Sequence, residues 1–549
     1  MPGEAMARAP TALAALRSRS GLRRVLAAYG LYDLVEAAAW LAVVLWAYAR
    51  GGAELAGFAA VVQLLPAAVV GPLIASAGDR ISRTLALLLA HAFVAVTTGL
   101  TWAALATGSS VVVVLIASTL CTTSVAVVRP IHYAALPQLA DRADELVSAN
   151  ALSSAGEQLG LLVGPVAAGV LVAVSGPSLV LAATFVASLL GTLLCLGLPP
   201  VAPSRSDDDS GFGAALRGLR SLRGDWPSLA LLSVMTVSFL LQGALDVLGV
   251  AFADQALGVG ASGAGLIVGA TGIGGVIGAA GAAWFAGRRA LTATIVGAAL
   301  VTGAAYAAVS GTRAVLPAVL LIAVAGSAAA VYMVCSRTLL QRATDESVLS
   351  RVFAVQESMA LLGLAVGAAL VPVLVSHLGA AGAFLPLGLG AALVVLLAAV
   401  LLRRLDARAT YRPHEVALLR SVPFFSVLPE YELERLAAHA TWLTVHQGQE
   451  VVRQTAEGHD FYVIESGRYS VTVDGVLKDH VLEVPGSFGE IALLRSIRRT
   501  ASVTALTEGA LLVVGRNDFL AAVTGNVDGR TIAAEVAAGH LSRDRTPSG

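Results

Sequence analysis

Twelve stretches of this 549-residue chain are each long and apolar enough to cross a hydrocarbon core, which takes about 20 residues per helix. They run over 26–49, 55–77, 84–106, 110–133, 150–174, 177–198, 227–252, 261–286, 290–310, 314–336, 352–377 and 380–402. Lipid satisfies no backbone polar group, so each stretch must close its hydrogen bonds within itself as a helix. The expected fold is therefore a polytopic all-α membrane bundle. Composition agrees: 57% of residues are apolar and 13% charged, against roughly 45–50% and 25% in soluble domains. A single soluble domain, a disordered chain and a collagen-like fibre are excluded. The net charge of zero hides a split, with 13 basic and 17 acidic residues from Tyr411 onward and 23 and 19 before it. Two parts in different solvents are implied, and no basic surplus points to nucleic acid. Cys121, Cys195 and Cys335 lie far apart in apolar runs and form neither a metal-ligand spacing nor a disulfide framework. No metal is expected.

The spans fall into six plus six, residues 1–198 and 227–404, around a polar break at 199–226. Loop arginines orient them. With the N-terminus inside, the inner segments carry 19 arginines and the outer loops only Arg50 and Arg313. Both termini are then cytoplasmic. The break begins with Pro199, Pro200 and Pro203 and continues as a basic amphipathic helix through Leu216, Leu219 and Leu222, a tether for the inner leaflet.

The two halves echo each other. Gly160-Leu-Leu-Val-Gly164 in span 5 matches Gly363-Leu-Ala-Val-Gly367 in span 11, and sliding span 1 onto span 7 places Glu36 over Gln242. Such repeats build alternating-access transporters. Over residues 20–404 the chain resembles the major facilitator superfamily. The loop Gly78-Asp79-Arg80-Ile81-Ser82-Arg83 is similar to that family's Asp-Arg-x-Gly-Arg signature, with Ser82 where Gly is usual. The resemblance implies a charge latch at the cytoplasmic face made by Asp79, Arg80 and Arg83. The departure at Ser82 puts the tight turn in question. Span 5 carries Gly160, Gly164, Pro165 and Gly169, which resembles the motif of the family's exporters, with Ala168 replacing the first of the paired glycines. Arg129-Pro130 to Leu136-Pro137, with Ala149-Asn150-Ala151-Leu152, resembles bacterial drug and siderophore exporters.

Ionisable residues inside spans are costly, about 2.5–3.5 kcal/mol on insertion scales, and so mark function by default. Asp33 and Glu36 lie one turn apart on span 1. Arg129 lies in span 4 and Asp246 in span 7. These four are the candidates for proton coupling or substrate binding. Glu36 reads as the deepest acid without a sequence-local counter-ion, and Arg129 as its switching partner. Glu157 and Glu357, early in spans 5 and 11, read as cytoplasmic-gate ion pairs. His132 reads as interfacial; Tyr32, Trp40 and Trp46 read as cavity lining or as belt and packing residues.

Past Arg404 the composition changes. Residues 411–440 read helical and 441–515 as short strands separated by glycine turns, with helix returning near 517–523 and 529–541. A linker at 405–413, a β-roll domain flanked by helices at 414–541 and a disordered tail at 542–549 are expected. The roll resembles the cyclic nucleotide-binding domain of the bacterial catabolite activator and of cyclic-nucleotide-dependent kinases. The residues that carry this are Pro423-Phe424-Phe425, the turn Gly458-His-Asp460-Phe-Tyr462, and Phe488-Gly489-Glu490-Ile491-Ala492 followed by Arg499-Thr500. Gly489 permits close backbone approach, and the amides from Glu490 to Ala492 open toward an anion. Arg499 offers a planar fork to a cyclic phosphate. By the resemblance, Glu490 accepts from a ribose hydroxyl. The ligand is cyclic nucleotide, cAMP favoured and cGMP possible.

The combined expectation is a secondary active transporter in a bacterial inner membrane, a proton-coupled exporter of a small molecule regulated by cytoplasmic cyclic nucleotide. Left open are a facilitator, importer or lipid transporter of the same fold, a membrane-anchored sensor that does not transport, and the oligomeric state. No nucleophile–base constellation suggests an enzyme. No voltage helix or selectivity filter suggests a channel.

Overall fold

The computed structural model describes residues 20–78, 81–139, 143–198, 224–286, 291–344, 346–408, 412–426, 428, 430–495 and 497–524. Asp79 and Arg80 of the latch loop, the amphipathic helix of the central break and the helix expected at 529–541 lie outside them. The chain divides into two compact units, Met1–Ala409 and Thr410–Gly549.

Eleven helices of the first unit are long and apolar enough to cross a membrane. They are α1 (Ser20–Gly78), α2 (Arg83–Ala106), α3 (Val111–Leu139), α4 (Ala143–Ser175), α5 (Pro177–Cys195), α6 (Trp226–Gln255), α7 (Gly260–Ala286), α8 (Thr292–Val309), α9 (Val315–Ala343), α10 (Glu346–Gly382) and α11 (Phe384–Arg408). As a single rod the 59 residues of α1 would measure ~88 Å. That is about three times the ~30 Å hydrocarbon core. The helix breaks instead at Gly51 and Gly52, where Gly52 has φ 58°. Eleven helices thus make twelve crossings, and the break falls between the first two expected spans. Val174, Leu316 and Leu397 are 67–76% exposed on the outside of the bundle, an apolar surface suited to lipid.

Two charges finish helices other than their own. Arg24 of α1 donates from Nε to the Leu194 carbonyl at 2.8 Å and also reaches the Leu196 carbonyl, closing the C-terminal end of α5. Asp406 at the end of α11 accepts from the Leu291 and Thr292 amides at 3.3 and 3.0 Å. It caps α8, whose own N-cap residue, Leu291, supplies no side-chain bond.

The repeat is visible in the packing. Gly160 and Gly164 of α4 seat on Asp33, Leu34 and Ala38 of α1. Gly363 and Gly367 of α10 seat on Phe239, Leu240 and Ala244 of α6. The contacted residues correspond at one offset, 206 positions, the same that separates Trp40 from its partner Asp246 and Tyr48 from Asp254. The two Gly-x-x-x-Gly pairs make one contact twice, because only glycine lets the backbones approach so closely.

The halves join along a second glycine seam. Gly169 of α4 lies against Ala261 and Gly265 of α7, and Gly265, Gly269 and Gly272 lie against Pro165, Leu162 and Val166. Gly57 of α1 meets Ala368 and Pro372 of α10. One apolar cluster, from Ala38–Ala47 and Ala56–Ala60 to Leu241–Ala253 and Ala264–Ala270, is shared by both halves at the end of the bundle that holds Gly51–Gly52. At the opposite end, among the described residues, the clusters belong to one half each: Leu22 to Leu198, and Leu231 to Leu405. Among the described residues, the bundle is closed at one end and parted at the other.

The second unit opens with α12 (Pro413–Arg420) and α13 (Glu430–His439), followed by strands β1 (Thr441–Val445), β2 (Glu450–Val452), β3 (Asp460–Ser466), β4 (Tyr469–Val473), β5 (Val476–Leu482) and β6 (Ser487–Phe488). Then come α14 (Glu490–Arg495), β7 (Ser502–Ala505), β8 (Gly509–Gly515) and α15 (Arg516–Thr524). Two antiparallel four-stranded sheets result, ordered β1-β8-β3-β6 and β2-β7-β4-β5. Phe424 and Phe425 pack with Phe461 and Phe519 at centroid distances of 4.8–6.0 Å and fasten the flanking helices to the first sheet.

Candidate functional site

In the bundle, Arg129 of α3 is the centre of an acid cluster. Its Nη2 lies 2.8 Å from Glu36 and 3.8 Å from Asp33, and its Nε lies 3.7 Å from Glu157. Tyr29 and Tyr133 donate to Glu157 at 2.6 and 3.0 Å. Three of the four coupling candidates therefore meet. The fourth, Asp246, sits elsewhere and accepts from the Trp40 indole at 2.9 Å across the junction of the halves.

Several expectations are corrected here. Asp33, and not Glu36, is the more buried acid: the Glu36 side chain is 37% exposed and that of Asp33 only 2%. Asp33 points at the bare backbone of α4, where Gly156 and Gly160 leave room for it and cover it. Glu36 pairs with Arg129 of another helix, the partner expected for it. Among the described residues neither oxygen of Asp33 accepts a hydrogen bond. Glu157 belongs to this cluster rather than to a separate gate. His132 is fully buried within the protein, stacked on Tyr29 at 3.7 Å and bonded to Ser153 at 2.8 Å. Glu357 is exposed on α10, and Arg83 is buried at the start of α2. Ser82 needs no glycine conformation: at φ −60° it caps α2, accepting from the Leu85 amide at 3.3 Å.

Beside the cluster opens a cleft of about 430 Å³, mouth included, lined by Glu36, Trp40, Gln63, Thr101, Ser118 and Thr122 among others. Thr122 donates to Gln63 at 3.1 Å. The lining joins one carboxylate, one indole, one amide and the hydroxyls of Thr101, Ser118 and Thr122 to apolar Ala39, Val43, Val125 and Leu181, which suits a small amphipathic solute. Gln63, Tyr29 and Tyr133 escaped sequence reasoning. The available signal was a polar side chain at helical spacing inside an apolar span.

In the roll, Phe488, Gly489, Glu490, Ile491, Ala492, Arg499 and Thr500 all line one cleft of about 610 Å³, mouth included. Gly489 has φ 101°, which L side chains avoid, and it follows β6 directly. Its carbonyl accepts from Arg499 Nη1 at 2.9 Å, and the Asp460 carbonyl accepts from Nη2 at 2.6 Å. Arg499 is 6% exposed, and its charge lies 5.8 Å from the Tyr462 ring centroid. Burial pulls the Arg499 guanidinium below its ordinary value, while Tyr462, Asp460 and Glu490 oppose the shift. A guanidinium stays charged under such a shift. The fork is thus fixed in place before any anion arrives. Glu490, 1% exposed, starts α14 beside it.

A bundle of two like halves closed at one end, with an ionised cluster among its spans, is the architecture of a secondary transporter. Residues 25–346 match the Major Facilitator Superfamily, and the chain belongs to that family. Residues 442–526 match the cyclic nucleotide-binding domain. The second unit is similar to the cAMP-dependent protein kinase regulatory subunit of Yarrowia lipolytica, 35% identical over 118 residues, 21% of this chain and 31% of the relative. It is also similar to the cGMP-dependent protein kinase of Toxoplasma gondii, 35% identical over 124 residues, 21% of this chain and 12% of the relative. A third relative is the cAMP-dependent protein kinase type II regulatory subunit of Drosophila melanogaster, 33% identical over 110 residues, 20% and 28%. The chain spans less than a third of the length of each. Neither matched family is a family of enzymes.

Proposed function

We propose that this multi-pass membrane protein is a proton-coupled exporter of a small molecule, regulated by a cyclic nucleotide bound in the roll. The observation that carries the transport reading is the cluster of Asp33, Glu36 and Glu157 on the single cation Arg129, beside an open cleft. Three acids on one arginine leave a surplus of negative charge that a proton or a cationic solute can neutralise in turn. Asp33, buried and given no hydrogen bond by any described residue, is the proton carrier, and Glu36, at the cleft, meets the solute. The span-5 motif of Gly160, Gly164, Pro165 and Gly169 favours export, toward the drug and siderophore exporters it resembles.

The loop arginines favour the cytoplasm for the parted end of the bundle and for both termini, and the exporters that span 5 resembles favour a bacterial inner membrane. The arrangement is then inward-facing. Asp79, Arg80, Arg83 and Glu357 serve the gate at that end.

The Arg499 fork, Gly489 and Glu490 hold the cyclic phosphate and ribose, with Phe488, Ile491, Ala492 and Thr500 around them. Relatives named for cAMP and for cGMP support a cyclic nucleotide, and cAMP is the first choice. Regulation requires that nucleotide bind one access state better than the other. The test is flux in proteoliposomes under an imposed proton gradient, with and without cAMP on the side of the roll. Gradient-driven flux that cAMP changes supports the reading; flux indifferent to the gradient overturns the coupling, and flux indifferent to cAMP and cGMP overturns the regulation.

A further inference from the structure

The cleft of the roll has two chemically different ends. Arg499, Gly489 and Glu490 make one. The other is floored by Val452, Val503 and Val471, cross-strand neighbours on β2, β7 and β4. This apolar floor accepts the face of any base and chooses none. Its rim is β5, and there the ladder is irregular. Ser470 pairs with Val481, but the next pair is Thr472 with Leu477, so three residues of β5, Lys478 to His480, stand against one of β4. Bulges of this kind re-aim side chains and gather near binding sites. His480, half-buried, lies in that stretch and lines the cleft together with Leu482.

We propose that His480 is the base-reading residue of the cleft, its imidazole N–H donated to N7 of a purine whose cyclic phosphate lies at Arg499. This rests on the cyclic-nucleotide reading of the cleft. Thr500, next in sequence to Arg499, and Ser487, before Phe488 on β6, bring hydroxyls to the same lining. Among the residues that line the cleft, His480 is the one whose side chain is a ring with a polar N–H. Either neutral tautomer of imidazole carries one N–H donor. N7 is an acceptor common to adenine and guanine, and pyrimidines have no such atom. His480 therefore selects purine over pyrimidine and treats cAMP and cGMP nearly alike at this contact.

The test is calorimetry on the full-length protein in detergent, with cAMP, cGMP, their 7-deaza analogues and cCMP, on the wild type, His480→Ala and His480→Gln. In the wild type the 7-deaza analogues and cCMP bind weaker than the natural purines, the analogues by about tenfold, the worth of one hydrogen bond. In His480→Ala the natural purines fall to the level of their analogues, and deaza substitution has no further effect. His480→Gln, which keeps a donor, restores part of the difference. An unchanged deaza penalty in His480→Ala overturns the inference, as does the absence of any penalty in the wild type. An equal loss for every ligand assigns His480 a structural role and also overturns it. A wild type that binds no cyclic nucleotide overturns the reading of the cleft itself, a result distinct from all of these.

Discussion

Trp40 donates its indole N–H to Asp246 at 2.9 Å, and the two residues occupy equivalent positions of the two halves, 206 apart. Tyr48 and Asp254, 3.3 Å apart, repeat the relationship at the same offset, and Gln255 also reaches Tyr48 at 2.9 Å. Equivalent positions touch only where they lie on the pseudo-two-fold axis. These pairs therefore mark that axis, at the closed end of the bundle, and join spans that must part when that end opens.

Trp40→Phe keeps the aromatic bulk and removes the donor. Leaving a partly buried carboxylate unbonded costs about 1–3 kcal/mol, which shifts a two-state equilibrium roughly 5- to 150-fold. Spin labels at Ser109 and Thr312, in loops of opposite halves at the closed end, will show a longer-distance population in Trp40→Phe. An unchanged distance distribution would sink the idea that the pair holds this end shut.

Asp33 and Glu36 differ in exposure and so should differ in kinetic effect. Asp33→Asn is expected to abolish uphill transport driven by a proton gradient while sparing solute exchange. Glu36→Gln frees Arg129 at the cleft and is expected to raise KM about tenfold or more, with coupling retained. The same loss of coupling in both variants would show that the two acids act as a unit.

The glycine seam between α4 and α7 predicts a steric result. A Cβ on Gly265 would collide with the Pro165 carbonyl and the Gly169 backbone. Gly265→Val should weaken the bundle by about 1–3 kcal/mol, the usual cost of overpacking. The check is thermal unfolding in detergent against Gly297→Ala, a glycine with nothing within 4 Å of an added Cβ. Equal melting temperatures for the two would show that the seam yields freely.

Arg499→Lys keeps the charge but loses the planar fork and its two backbone carbonyl partners. Affinity for cyclic nucleotide should fall about 10- to 150-fold, as for charge-assisted hydrogen bonds worth about 1.5–3 kcal/mol. Arg499→Ala should fall at least as far. Calorimetry decides, and Lys binding as tightly as Arg would show that the cleft needs only a positive charge.

Asp406 tests the cap made between helices. Asp406→Ala removes the bonds to the Leu291 and Thr292 amides and should cost about 1 kcal/mol. Asp406→Asn, which keeps an acceptor, should recover most of it in the same unfolding assay.

Much of this architecture is legible in the chain. Hydropathy alone locates the crossings, because lipid demands unbroken apolar helices. The match of Glu36 with Gln242 already contains the offset of 206 that the packing obeys, and the two Gly-x-x-x-Gly pairs, 203 apart, come within three positions of it. Depth within a span is another matter. Span 1 is apolar on nearly every side, so periodicity cannot tell which of Asp33 and Glu36 faces a neighbour. That depends on glycines of α4, more than 120 positions away. The burial of His132 is illegible for the same reason, since it rests on Tyr29 and Ser153. In the roll the cassette residues stand consecutively and so could be read together. His480 escaped because Lys478, Asp479 and His480 disguise β5 as a loop. The available signal was Asp474-Gly475, both at positive φ (51° and 79°), the usual two-residue turn of a hairpin.

The contact between Trp40 and Asp246 has a bearing on how such a molecule can be assembled. On the two-fold axis of a dimer of identical six-helix chains, each residue meets its own copy. Two aspartates there would repel, and two tryptophans would offer donors without an acceptor. A donor facing an acceptor on that axis needs unlike halves, held together in one polypeptide. The clasp at the closed end is thus available to a tandem chain and denied to a symmetric pair, so joining the halves does more than tether them.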